Sequence, residues 1–175
     1  MVIFLIGPSG VGKTPLAKSV SDGSKIIHID LDSSVKQSNN NVSAPVFLGK
    51  HGPRWFFEEG RKEIELLHSK DTENAVFLVD VGAGFLLADE AFEFFKSQNT
   101  ILVYAPPEIV YPRNKQKACN LGRQYDEFCK TEYLKKRELH ANCRYRIDVA
   151  DLSESEAKAK FKTELEKAVN LFRQF

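Results

Sequence analysis

A short apolar opening, Met1-Val-Ile-Phe-Leu-Ile6, runs straight into Gly7-Pro-Ser-Gly-Val-Gly-Lys13-Thr14, and a helical pattern follows from Pro15 to Val20. This succession of buried strand, glycine-rich loop and helix constrains the fold more than any other stretch of the chain. The loop satisfies G-x-x-x-x-G-K-[ST] and sits where the chemistry of that motif needs it. Glycines let the backbone curl into a nest of inward-pointing N–H groups, and the following helix adds the positive end of its dipole. Gly7, Pro8, Ser9, Gly10, Val11 and Gly12 therefore read as a cradle for a triphosphate. Lys13 is expected to reach the β and γ phosphates from near the surface of an open site, and the Thr14 hydroxyl to join the shell of a Mg²⁺ ion. Pro15 is tolerated because the first N–H groups of a helix have no partner within it. The ligand expected is ATP with Mg²⁺.

The remaining chain alternates in the same way. Apolar runs at Ile26–Ile29, Ala75–Val79, Thr100–Tyr104 and Tyr145–Val149 read as strands, and Trp55–Leu67, Phe85–Lys96, Pro106–Arg113 and Tyr125–His140 as helices. Ser38–Ser43 reads as a loop, and Asn114–Arg123 as a polar, basic, mobile one. Ser153 followed by Glu156 forms a capping box that opens a last helix, with Phe161, Leu165, Ala168 and Phe172 on its inner stripe. Continuous apolar strands alternating with helices imply a parallel sheet covered on both faces. At 175 residues the chain fits one α/β domain.

Composition removes several classes of function. Lysine and arginine total 25 against 24 acids, a net charge of +1, so nothing general points to nucleic acid or an anionic membrane. No apolar run approaches the roughly 20 residues that span a bilayer. The opening residues lack a basic leader and cleavage site, so they are not expected to act as a signal peptide. Cys119, Cys129 and Cys143 form no CxxC pair and no zinc spacing, and an odd count argues against a disulfide framework. A reducing, cytoplasmic setting is expected.

Ligands of parallel α/β sheets bind beyond the carboxyl ends of the strands, and three aspartates fall there. Asp30 and Asp32 follow the second strand, Asp80 the third. In extended chain the spacing of Asp30-Leu-Asp32 turns both carboxylates to one side, one for the metal shell and one for an acceptor hydroxyl. Helix capping is the competing use of the pair. Asp80 ends an apolar strand, as a metal-holding acid would, or else makes a turn into Gly82. His28 is expected to be a core histidine, and Phe92, Phe94 and Phe95 to serve packing.

With these residues in view, the chain resembles the shikimate kinases, within the nucleoside-monophosphate-kinase-like P-loop fold. Ile3–Thr14 is similar to that family's first strand and phosphate loop, and His28-Ile-Asp-Leu-Asp32 to its paired-aspartate segment. The resemblance implies a three-layer P-loop NTPase fold with strand order 2-3-1-4-5 and a small lid at about 113–125. It implies that Asp30 serves Mg²⁺, and that Asp32 holds and activates the acceptor hydroxyl. Gly82-Ala83-Gly84 stands at the family's glycine triplet, Arg113 at its nucleotide-binding arginine, and Arg123 at its catalytic lid arginine. Arg137, with Leu139, resembles the start of a substrate-contacting segment.

The departures bear on the acceptor. The family's Gly-Glu-x-x-Phe-Arg appears here as Gly52-Pro-Arg-Trp-Phe-Phe57, so Phe57 stands at the position of an arginine that clamps a substrate carboxylate. His140 replaces a tyrosine, and Ala83 interrupts the glycine triplet. Arg54 or Arg61 is a candidate source of the missing charge. Some loop residues also resemble guanylate kinase, without its downstream pattern. The function expected is ATP-dependent phosphorylation of a small hydroxylated metabolite, not specifically shikimate. A nucleoside or nucleotide kinase and a non-catalytic ATP-binding module are the alternatives.

Overall fold

The apolar runs pair as five parallel strands in a computed structural model that describes residues 1–21, 25–69, 75–120 and 124–174, with side chains of 116–120 left aside. The strands are β1 (Val2–Ile6), β2 (Ile26–Asp30), β3 (Val76–Asp80), β4 (Thr100–Tyr104) and β5 (Tyr145–Asp148), in the order β2-β3-β1-β4-β5. The three inner strands are apolar along nearly their whole length because helices cover both faces. The period-2 alternation of a strand sorts their side chains. Val2, Phe4, Ile6, Phe77, Val79 and Leu102 enter one core, and Ile3, Leu5, Val76, Leu78, Ile101 and Val103 the other.

The second core is closed by α1 (Lys13–Ser21), α5 (Pro107–Asn120), α6 (Tyr125–Cys129) and α8 (Glu154–Phe172). The predicted capping box opens α8, with the Ser153 side chain accepting from the Glu156 N–H and the Glu156 carboxylate from the Ser153 N–H at 2.9 Å. Phe161, Leu165, Ala168 and Phe172 are its buried stripe, as the spacing requires.

The first core is covered by α2 (Leu31–Ser38), α3 (Ala44–His68), α4 (Glu90–Lys96) and α7 (Arg137–Ala141). Phe94 and Phe95 meet Phe4 edge-on, at 6.3 and 5.5 Å between ring centres, which is packing as expected. Among the described residues, no helix is long and apolar enough to cross a membrane.

Several helical elements depart from the sequence reading. The helix expected over Trp55–Leu67 is the second of two helical segments in α3, which are separated by a break at Gly52, where φ is 80°; the first segment, from Ala44, was not expected. Pro45 falls in its first turn and Pro53 directly follows the break, so neither proline interrupts a continuous ladder. The helix expected over Phe85–Lys96 is a 3₁₀ turn at Phe85–Leu87, followed after a gap by α4. Asn114–Asn120, expected to be loop, continues α5. Tyr125–His140 splits into α6, a π turn at Lys130–Leu134 and α7.

Gly60 shows how closely α3 packs. A β-carbon there would lie 2.3 Å from Cε1 of Phe85, whose ring is buried and stacked on Phe56 at 4.2 Å. Alanine is the better helix former by about 1 kcal/mol, but the overpacked ring has nowhere to withdraw. Gly60→Ala should therefore lower stability by roughly 1–3 kcal/mol. A urea unfolding midpoint at or above that of the wild type would contradict this packing.

Candidate active site

The parallel pairing of β1 with β3 sets Leu5 beside Asp80, and that of β2 with β3 sets Asp30 beside Asp80. The loop leaving β1 and the acids ending β2 and β3 therefore emerge together at the carboxyl edge of the sheet, where such folds bind ligands. They share a cavity of about 460 Å³. Its walls include Ser9, Gly10, Gly12, Lys13 and Thr14 from the loop, Asp30, Asp32 and Asp80, and Gly82, Ala83 and Gly84. Ala44, Pro45, Leu48 and Leu87 supply an apolar side, and Glu132 a further carboxylate.

The loop has the backbone its sequence demands. Gly10 and Gly12 have φ of 86° and 102°, a region that side chains with a β-carbon rarely enter. Lys13 is buried rather than near the surface, as the sequence reading had it; its ammonium donates to the Gly7 and Pro8 carbonyls at 3.1 and 3.3 Å. The Thr14 hydroxyl donates to the Asp80 carboxylate, joining the start of α1 to the end of β3. Thr14, Asp80 and the neighbouring Asp30 are hard oxygen donors beside the phosphate loop, which suits Mg²⁺.

Asp30 and Asp32 reach one cavity by a route other than the extended one expected. Asp30 closes β2 with φ −89° and ψ 105°, and its side chain caps α2 by accepting from the Ser33 N–H at 3.1 Å. Asp32 lies in the first turn of α2, and Leu31 between them is fully buried. Capping and cavity lining are thus combined in Asp30. Asp32 is seated against Gly82, where an added β-carbon would fall 2.0 Å from its Oδ1. Glycine at 82 makes room for the carboxylate.

Ser9 joins the loop to the segments that follow β4. Asn114 Nδ2 donates to the Ser9 hydroxyl at 3.2 Å and to its carbonyl at 3.4 Å. From the other side, Glu132 Oε2 accepts from the Ser9 N–H at 3.1 Å and from Lys136 Nζ at 2.9 Å. Glu132 and Lys136 are 1% and 2% exposed, an ion pair inside the protein. Burial pushes the Glu132 carboxyl up, but the Lys136 ammonium and the Ser9 N–H hold it below its ordinary value. Sequence reasoning included Asn114 only as part of the expected lid and passed over Glu132 and Lys136, which lie in a charged run with no apolar stripe to reveal an inner face. The i, i+4 spacing of Glu132 and Lys136 was the one available signal.

Other expected site residues lie elsewhere. Phe57 is in the core, edge-on to Phe94 at 5.7 Å, and is not among the described residues lining the cavity. Arg54 pairs with Glu90 at 3.1 Å on the surface, and Arg61 with Glu58 and Glu65. Arg137 is exposed in the first turn of α7 and also does not line the cavity. Arg113 borders a second cavity of about 410 Å³ across the phosphate loop, with Gly10, Gly12, Val149 and Leu152. Arg123 lies outside the described residues, as does part of the segment 113–125 expected to form a lid.

Comparison with known proteins agrees with this architecture. A family model described as "Shikimate kinase" matches residues 9–168. A bifunctional shikimate kinase/3-dehydroquinate synthase of Thermotoga maritima is 30% identical over 165 residues, covering 91% of this chain and 31% of that protein. A shikimate kinase of Staphylococcus aureus is 30% identical over 112 residues, covering 63% of this chain and 61% of its own length. The chain thus spans less than two thirds of the length of these curated relatives. The crystal structure of a shikimate kinase from Bacteroides thetaiotaomicron superposes with a TM-score of 0.75 at 20% identity, covering 97% of this chain and 98% of that one, a likeness of fold. A phosphate loop facing paired aspartates across the edge of a 2-3-1-4-5 sheet, matched over 160 residues, places this chain in the shikimate kinase family.

Proposed function

We propose that the protein is an ATP-dependent kinase that transfers the γ-phosphate of ATP to a hydroxyl of a small metabolite, and that it is not specific for shikimate. The observation that carries this reading is a single cavity with Lys13 and the loop on one side and Asp32, seated against Gly82, on another. The loop amides and Lys13 bind the triphosphate, and the second cavity, with Arg113, receives the nucleoside end. Thr14, Asp30 and Asp80 hold Mg²⁺, which when bound neutralises charge on the phosphates. Among the described residues no three acidic, histidine or cysteine side chains form a ready-made metal cage.

Asp32 orients the acceptor alcohol and takes its proton as the oxygen attacks the γ-phosphorus. The new O–P bond forms as the bond to ADP breaks. Catalysis of this kind rests on positioning and charge, so few side chains are needed. These parts belong to one kinase domain. Phe57 supports an acceptor other than shikimate, because a buried phenyl ring offers a carboxylate no hydrogen bond. A cytoplasmic setting fits free thiols at Cys129 and Cys143.

Multiple-turnover assays with ATP, Mg²⁺ and a panel of shikimate, gluconate, uncharged polyols and nucleosides test the reading. Phosphorylation of a polyol supports it, a nucleoside-only profile points to the nucleoside kinase, and no product with any acceptor contradicts it. Lys13→Ala should lower turnover by on the order of 10²–10³ with folding retained. Unchanged turnover would remove Lys13 from the reaction. Asp30→Asn should raise the Mg²⁺ concentration required, since asparagine still caps α2 but is a weaker metal ligand. Asp32→Asn should instead lower turnover at every Mg²⁺ concentration. Wild-type kinetics of both variants across a magnesium titration would make the pair purely structural.

A further inference from the structure

The site carries a carboxylate that the proposed transfer does not use. Glu132 reaches the cavity on the π turn between α6 and α7, nearly free of solvent contact, fixed by the Ser9 N–H and the Lys136 ammonium. It adds to Asp30, Asp32 and Asp80, and among the described lining residues the only cation is Lys13. Lys136, the buried ammonium behind the cavity wall, has its charge offset by Glu132. The arginines expected to serve an anionic acceptor face outward: Arg54 to Glu90, Arg61 to Glu58 and Glu65, and Arg137 to solvent. His140 contributes no positive charge either. Burial, and next the Lys136 ammonium, push its pKa down to about 4, so it is neutral at physiological pH.

We infer that the cavity selects a hydroxylated acceptor bearing no anionic group, and that Glu132 is a specificity-determining residue for that choice. This rests on the kinase reading for the word acceptor, but the selection itself is one of binding. An acid entering this cavity meets fixed carboxylates at short range, and like charges so placed repel. The apolar side formed by Ala44, Pro45, Leu48 and Leu87 suits the carbon skeleton of an uncharged ring or chain, while Asp32 accepts from its hydroxyl. Selection then comes from a repulsive element as much as from an attractive one.

Pairs alike in skeleton but different in charge test this directly: shikimate against its methyl ester, and gluconate against glucitol. Each is titrated calorimetrically into the protein with MgADP present. The uncharged member of a pair should bind at least about tenfold more tightly. Glu132→Gln keeps acceptor oxygen for Ser9 and Lys136 while removing the charge, and should bring the ratio to about one or invert it. Should that variant fail to fold, the wild-type ratios alone decide the preference. Acids binding as well as their uncharged partners, a ratio unmoved in a folded Glu132→Gln, or no binding by any of the four would overturn the inference. Transfer of phosphate to the same compounds is read separately. The expected binding ratios without any transfer would remove the kinase reading and leave the charge selection standing.

Discussion

The register between β1 and β3 is the constraint on which the rest of the site depends. Because the strands are parallel and Leu5 lies opposite Asp80, the phosphate loop and the last acid of β3 leave the sheet side by side. A shift by one residue would turn every side chain of a strand to the opposite face, taking Phe4 and Ile6 out of their core. The two packed cores therefore hold the register, and the register holds the chemistry. The Thr14–Asp80 hydrogen bond is the local expression of that arrangement. Two residues beyond Asp80, the turn brings Gly82 against Asp32. Three segments distant in sequence are thereby set around one volume.

A second tie is electrostatic. Ser9 is gripped from α5 by Asn114 and from the π turn by Glu132, so the loop is joined to the segment that follows β4. A buried ion pair such as Glu132–Lys136 adds little net stability, since both groups give up water, but losing one partner costs about 3–5 kcal/mol. Such a pair is better understood as fixing where a charge stands than as holding the fold together. Here it holds a carboxylate at the cavity and offsets an ammonium that a bound acid would otherwise meet.

The strands and the phosphate loop were legible because each is written as a local pattern: five apolar runs, one glycine-rich motif and one capping box. Strand order was not local, and it came from the resemblance to shikimate kinases. The first part of α3 was given no element in the sequence: Pro45, Gly49, Gly52 and Pro53 interrupt its pattern, and in the structure the prolines sit at a helix start and just past the break at Gly52. Asp30 and Asp32 were recognised as a pair, but not their geometry, because a cap and a first-turn residue look like an extended Asp-x-Asp in one dimension. Glu132 was the most consequential omission. Its surroundings, Lys130-Thr-Glu-Tyr-Leu-Lys-Lys136, look like a solvated face, and only the π turn and the tertiary fold bury the pair. Phe57 was read at the position of the family's carboxylate-clamping arginine, and its side chain packs against Phe94 in the core rather than lining the cavity.

The central claim is that the loop and Asp32 face each other across one cavity in order to pass a phosphoryl group between two bound molecules. Phosphorus NMR of the protein with MgATP and an uncharged polyol such as glucitol or methyl shikimate reads this most directly. The account predicts a phosphomonoester resonance growing one-for-one with ADP, its growth slowed by on the order of 10²–10³ in Lys13→Ala and strongly reduced in Asp32→Asn. ADP accompanied solely by inorganic phosphate, or ATP unchanged with every hydroxylated compound offered, would contradict it.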